Sequence, residues 1–414
     1  MGVIRIKDKD GKITEIPSFK GDPGEISLAY GHKNFANAIE NSVSGNSVVL
    51  NDSAAAPLRA LKIYGKSTQN ATPAPDAPID IVSVGDDGDV NIGLYNNNLA
   101  ENFYICEEVL QFSEALFIET TLAPSTKYTL SFKGTVGNVY YINEHVFVTK
   151  DIKIKDGVTT ITLITKNVLN KASTSQYQSG RGWLVLKNRE NNTEHIFDNL
   201  MLNYGDVAKD YETYKTKHSI TLTTSLRAIP VTDKTLATYT DANGQMWYAD
   251  EIDLEKGVYV QRVGSSVGKT WVASNIDASC NGERYYLLCE DRKAERYCNV
   301  LCTNYQQINY ATFSSNGDFI STDETNKINV RCTEKVFGGA SAFNEWVTNV
   351  GMVVYYPLKT PIVTSLTAKK IAEYQALRTN YPNTTILNDE NAFMDVAYVA
   401  DTKLYIDNKI AALG

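Results

Sequence analysis

The sequence predicts a mainly β protein, with several antiparallel β-sandwich or jelly-roll domains and short C-terminal helices. Three observations carry this expectation. The aromatic residues lean to Tyr, 25 against 13 Phe and 4 Trp, and Tyr and Thr suit a pleated, half-buried surface. Short runs alternate in character, so that Tyr128, Leu130 and Phe132 fall on one face of a strand. Turn signals separate such runs at about the spacing of a sandwich.

Taken in order, residues 1–42 read as an N-terminal attachment hairpin and a short helix. Val3, Ile4 and Ile6 precede a turn at Asp10 and Gly11, and Ile13 and Ile16 follow it. Gly21, Asp22, Pro23 and Gly24 form a single collagen-like unit, far too short for a triple helix. Phe35, Ala38 and Ile39 mark the helix. Residues 43–97 form a β-rich docking segment, with strands around Val48 to Leu50, Leu58 to Tyr64 and Ile79 to Val84. Pro73, Pro75 and Pro78 make a connector within it, because Pro cannot donate to a ladder. The acidic turn from Gly85 to Asp89 lacks EF-hand spacing and its terminal Glu. Residues 98–215 read as one β-sandwich, residues 216–264 as a hairpin connector, and residues 265–360 as a second, all-β, Cys-bearing domain. Residues 361–414 read as two helices, the first stopped by Tyr381 and Pro382 and followed by a short extended piece, the second over residues 391–413. Thr367 caps a first helix in which Ile371, Tyr374 and Leu377 share a face. Val396, Val399, Ile406, Ile410 and Leu413 then fall at three- and four-residue steps, an oligomerisation seam barely three heptads long. A single amphipathic helix is the alternative.

Composition narrows the function classes. The 414 residues are 43% hydrophobic and 21% charged, an ordinary globular balance with room for more than one domain. No apolar run approaches the roughly 20 residues that span a bilayer, and the charged first ten residues do not read as a signal peptide. Membrane insertion is therefore not expected. With a net charge of -8 and no basic run longer than two residues, nucleic-acid binding is not expected either. Of the six Cys, five (Cys280, Cys289, Cys298, Cys302 and Cys332) cluster, without CxxC pairs and without an intervening His. They read as reduced, mostly buried thiols rather than a zinc site, with a Cys298–Cys302 disulfide as the alternative.

Catalytic signatures are missing from the sequence. The four His (His32, His145, His195 and His218) show no ligand spacing, and there is no GxSxG elbow, P-loop or GxGxxG. The acidic neighbours Glu107 and Glu108, and Asp250, Glu251 and Asp253, fit solvated edges better than a glycosidase pair. No cofactor and no metal is implied, and a non-enzymatic protein is expected. The remaining signal is binding. Tyr177, Trp271, Tyr285, Tyr297, Tyr305 and Tyr310 could stack on sugar faces, against the alternative of core packing. Trp183 and Trp346 look buried.

Several phrases resemble minor tail and baseplate proteins of long-tailed phages and prophages of Gram-positive bacteria. They are residues 58–70 (LRALKIYGKSTQN) with 73–78 (PAPDAP) and 81–85 (IVSVG), and 239–262 (YTDANGQMWYADEIDLEKGVYVQR). Residues 361–374 (PIVTSLTAKKIAEY), continuing to Asn388 and Asp389, form another. Residues 126–134 (TKYTLSFKG), with 197–203 (FDNLMLN) and 211–214 (YETY), look like the first and last strands of a carbohydrate-binding-module-like jelly roll. The resemblance implies a virion protein of the tail tip or baseplate that attaches the particle to a host cell-surface glycan without catalysis. It implies other tail or baseplate proteins as partners, a homotrimer, docking through residues 43–97, and assembly in the host cytoplasm. A purely structural adaptor joining tail components is the alternative, and a tail-borne glycan hydrolase a third.

Overall fold

The computed structural model describes residues 3–7, 13–17, 39–86, 88–100, 102–109, 112–120, 122–133, 147–166, 182–187, 198–215, 218–274, 282–293, 299–308, 317–322, 327–333 and 335–411. The chain is mainly β, with several antiparallel sheets and, among the described residues, three short helices: α1 (Ala340–Val350), α2 (Ala368–Gln375) and α3 (Thr402–Ala411). The N-terminal hairpin pairs Val3–Lys7 with Ile13–Pro17, with Ile4 opposite Ile16.

The centre of the fold is a platform of two sheets. Seven strands follow one another in the order Leu301–Cys302, Val354–Ser365, Val258–Ser265, Glu251–Asp253, Ala60–Tyr64, Phe393–Val399 and Glu40–Gly45, all antiparallel. Four more follow in the order His218–Leu222, Val90–Tyr95, Thr384–Asn388 and Ser47–Leu50. Leu61, Ile63, Ile252, Met394 and Val396 of the first sheet share one buried cluster with Leu50, Ile92, Leu94, Ile220 and Ile386 of the second. Burying each such side chain is worth about 1.5–3 kcal/mol.

This platform corrects the expected domain order. Residues 43–97, 216–264 and 361–414 look like successive units in the sequence, yet they interleave strand by strand in the same two sheets. The expected helix through residues 391–413 is also corrected. Phe393–Val399 is a strand paired on both sides, and its Met394, Val396 and Tyr398 are buried at period two. The same apolar residues satisfy a heptad count and a strand count, and pairing with two neighbouring strands decides for the strand. Val396 is thus core and Val399 half-buried, while α3 carries a half-buried Ile406 and an exposed Ile410. Leu413 lies outside the described residues. The expected seam is therefore split between a strand and a separate helix.

Two modules are inserted into the platform, each tied at both ends. The chain leaves at Tyr95 and returns at His218, which pairs with Leu94. It leaves again at Ser265 and returns in the strand Val354–Ser365, with Ser265 opposite Tyr355. The first module holds a four-stranded sheet (Phe147–Lys155, Val158–Thr165, Lys127–Lys133, Asp198–Tyr204) and a three-stranded one (Gly182–Lys187, Phe112–Thr120, Asn102–Val109). Tyr128, Leu130 and Phe132 are buried on one face as the alternation predicts. Asp156 and Gly157, both at positive φ, make the two-residue turn before Val158, a conformation whose twist matches that of the flanking strands.

The second module is a five-stranded sheet (Trp271–Ala273, Glu283–Leu288, Lys327–Cys332, Phe319–Thr322, Gln306–Gln307) covered by α1. That helix corrects the all-β expectation for residues 265–360. Gly338 and Gly339 lead directly into it, and Gly351 ends it in the left-handed region. Phe343, Trp346 and Val347 stand at helical spacing against the sheet.

Candidate functional site

The aromatic candidates are placed first by the second module. Trp271, Tyr285 and Tyr305 are each 1% exposed. Trp271 meets Phe343 edge to face at 5.6 Å, and Tyr285 stacks on the same ring at 4.1 Å. Tyr305 packs edge-on against Trp346, and its hydroxyl lies 3.3 Å from Cys332 Sγ. These three are core residues, which corrects their assignment to sugar stacking. They sit on the inward face of their strands, in the cluster that holds Leu287, Ile328 and Val330. Tyr177, Tyr297 and Tyr310 lie outside the described residues. Trp346 is half-buried rather than buried, and Trp183 lies on the strand Gly182–Lys187.

The thiols fall in the same core. Cys289, Cys302 and Cys332 are free and buried, and Cys298, the other half of the alternative Cys298–Cys302 disulfide, lies outside the described residues. Burial pushes their thiols up, to about 11 for Cys289 and about 12 for Cys302 and Cys332. At those values they are neutral and unreactive near pH 7.

The carboxylates are bound within the fold. Asp250 is fully buried and accepts backbone N–H bonds from Arg262 (2.6 Å), Val263 (2.9 Å) and Arg227 (3.1 Å). Burial pushes its carboxyl up, against the pull of those N–H groups and of the Arg227 guanidinium. Glu251 is bound by Arg262 at 2.7 Å and Lys62 at 3.5 Å, and Asp253 by Lys62 and Lys256. These acids join neighbouring strands; Asp250 is hydrogen-bonded by backbone donors, while Asp253 Oδ2 has ion pairs at 3.4–3.6 Å but no hydrogen bond. Glu107 lies on the strand Asn102–Val109.

Some of the phrases that carry the resemblance are joints of the platform, and others are paired strands of the first module. In residues 239–262, Tyr239 stacks on Phe393 at 4.3 Å and on Trp247 at 6.4 Å, and it donates to the carbonyl of Gly65 at 2.9 Å. Asp389 holds both the backbone and the side chain of Asn91 at 2.8 Å. The segments 126–134 and 197–203 are neighbours, since Lys127–Lys133 pairs antiparallel with Asp198–Tyr204.

Two arrangements escaped sequence reasoning. The first is a polar clasp at the root of the first module. Asn96, Asn97 and Asn98 are all buried. Asn96 donates to Glu212 and to the carbonyl of Thr213, and Asn98 to the carbonyls of Leu200 and Glu212. Asn98 Oδ1 accepts from the N–H groups of Ala100 and Leu202, and Lys209 Nζ donates to Asn97 at 2.9 Å. Burial pulls the Lys209 ammonium down while Glu212 pushes it back up. Three consecutive Asn were the available signal.

The second is an open cleft of about 460 Å³ lined by Asn51, Asp52, Pro382, Asn383, Leu404 and Asn408. It lies between α3 and two turns of the platform. Asp52 stands at φ 56°, its carbonyl accepts from Asp401 N–H at 2.7 Å, and its Oδ1 accepts from Asn408 Nδ2 at 2.6 Å. Nothing in the sequence joins these residues, because they lie more than 300 positions apart.

No protein-family model matches the chain, and neither a curated protein nor a solved structure matches it.

Proposed function

We propose that this chain is a non-catalytic attachment protein of a phage tail tip or baseplate, a homotrimer in the virion that binds a host cell-envelope glycan. The observation that carries this reading is the inserted architecture. A composite platform holds two β modules, each tied to it by paired strands at both ends, Leu94 with His218 and Ser265 with Tyr355. Such a frame suits docking through one part and presentation of loops on another. Avidity across three copies would raise a weak glycan affinity.

One observation favours the second reading, a structural adaptor between tail components. Trp271, Tyr285 and Tyr305 are packed in a core and offer no sugar platform. Binding of labelled full-length protein to Gram-positive cells and purified wall glycans separates the two. The attachment reading expects saturable, strain-selective binding that free glycan competes. A folded protein that binds no strain in a broad panel moves the weight to the adaptor, and release of glycan fragments moves it to a hydrolase.

A further inference from the structure

We infer that the cleft between α3 and the turns at Asn51 and Pro382 is a binding site for one neutral hexopyranose unit of a glycan. This rests on the attachment reading and names the place where the ligand would sit. Its volume of about 460 Å³ lies within the range of small-ligand clefts. Its lining combines three Asn and one Asp with two apolar residues, Pro382 and Leu404. Amides present both donors and acceptors, and a carboxylate accepts at two oxygens. Vicinal sugar hydroxyls need that mixture, while Pro382 and Leu404 offer surface to the C–H face of the ring. Tyr381 adds an exposed aromatic next to Pro382 in the chain, 41% accessible.

The frame is fixed before any ligand arrives. Ser53 N–H donates to the Pro382 carbonyl at 2.7 Å, and Tyr398 Oη to the Asn51 carbonyl at 2.8 Å. Asp52 N–H donates to Asn383 Oδ1 at 3.4 Å. Among the described residues, no partner takes the side-chain amide of Asn51 or Nδ2 of Asn383. Preorganised groups with unspent hydrogen-bonding capacity lose little on binding. Charge selects the ligand class. The lining holds one carboxylate and no cation, and Lys403 is already paired with Asp407. A phosphate or uronate would meet repulsion from Asp52, whereas a neutral sugar would not.

Saturation-transfer NMR on the full chain tests this with glucose, galactose, N-acetylglucosamine and rhamnose, and with methylphosphonate as the anionic comparison. The expected result is saturable transfer to one or more of the neutral sugars and none to methylphosphonate. Asn51→Ala and Asn383→Ala should each weaken it about fivefold, the effect of one lost hydrogen bond, with Tm unchanged in Asn51→Ala. Two variants are used because Asn383 also holds Asp52, while the Asn51 side chain holds nothing. No transfer to any of these sugars, or transfer that both variants leave intact, overturns the assignment. Cell binding without sugar transfer would refute the cleft and keep the attachment reading. Sugar transfer without cell binding would do the reverse.

Discussion

The two inserted modules are fastened to the same platform by different chemistry. The second module shares its dry core with the platform, because Val354, Tyr356 and Leu358 of a platform strand pack with Phe343, Trp271 and Tyr285. The first shares less apolar surface, through Tyr95 and Leu387, and adds the polar clasp of Asn96, Asn97 and Asn98 with Glu212 and Lys209. Apolar packing stabilises without direction, while buried hydrogen bonds contribute little net energy but fix one geometry. The difference therefore assigns stability to one root and orientation to the other.

The largest test removes the ring at the centre of the apolar root. Phe343→Ala should cost about 3–5 kcal/mol, because four aromatic neighbours and a fully buried site leave a cavity that cannot collapse. The urea midpoint of the full chain measures it, and a loss under about 1 kcal/mol would show that the stack is not the core. The polar root should yield less. Asn98→Ala leaves two backbone N–H groups and two carbonyls without their partner, at a cost of about 2–3 kcal/mol. Its distinguishing mark is geometry. Hydrogen exchange should rise at Ala100, Leu202 and the strap around Glu212 while the platform strands stay protected. Uniform loss of protection would show that the clasp carries the whole fold and not one module.

The same contrast explains what could be read in the sequence. The strand with Tyr128, Leu130 and Phe132 and the cap at Thr367 were legible because each is decided within a few residues. The platform was not, since the neighbours of Ala60–Tyr64 lie near residues 251 and 393, and no local period records such pairing. Residues 393–399 were misread because alternation and a heptad coincide over one short apolar run. The helix α1 is not legible although Phe343 and Val347 stand four apart, because two glycines precede it without a side-chain cap and the run is short. The aromatic candidates failed for another reason: Tyr and Trp serve cores and wet sites equally well, and only burial separates them. The cleft is the extreme case, being assembled from two distant turns and a helix.

The smallest effect lies on the polar side of the apolar root. Glu283 accepts the Tyr285 hydroxyl at 2.6 Å and the N–H groups of Phe337 at 2.6 Å and Gly338 at 2.7 Å, the segment that leads into α1. Burial pushes its carboxyl up, but these three donors outweigh burial, and it sits below its ordinary 4.5. The unfolded chain thus binds this proton more tightly than the folded one. Stability from Glu283 is full above pH 4.5 and is lost as pH falls through the lower, folded value. Glu283→Gln should therefore lower the urea midpoint at pH 7 by the equivalent of about 1 kcal/mol, since a neutral amide accepts less strongly and turns its NH2 toward a donor. Near pH 3 the variant and the parent should converge. A gap that stays constant across this range would mean that Glu283 acts through shape alone, and the apolar root would then owe nothing to charge.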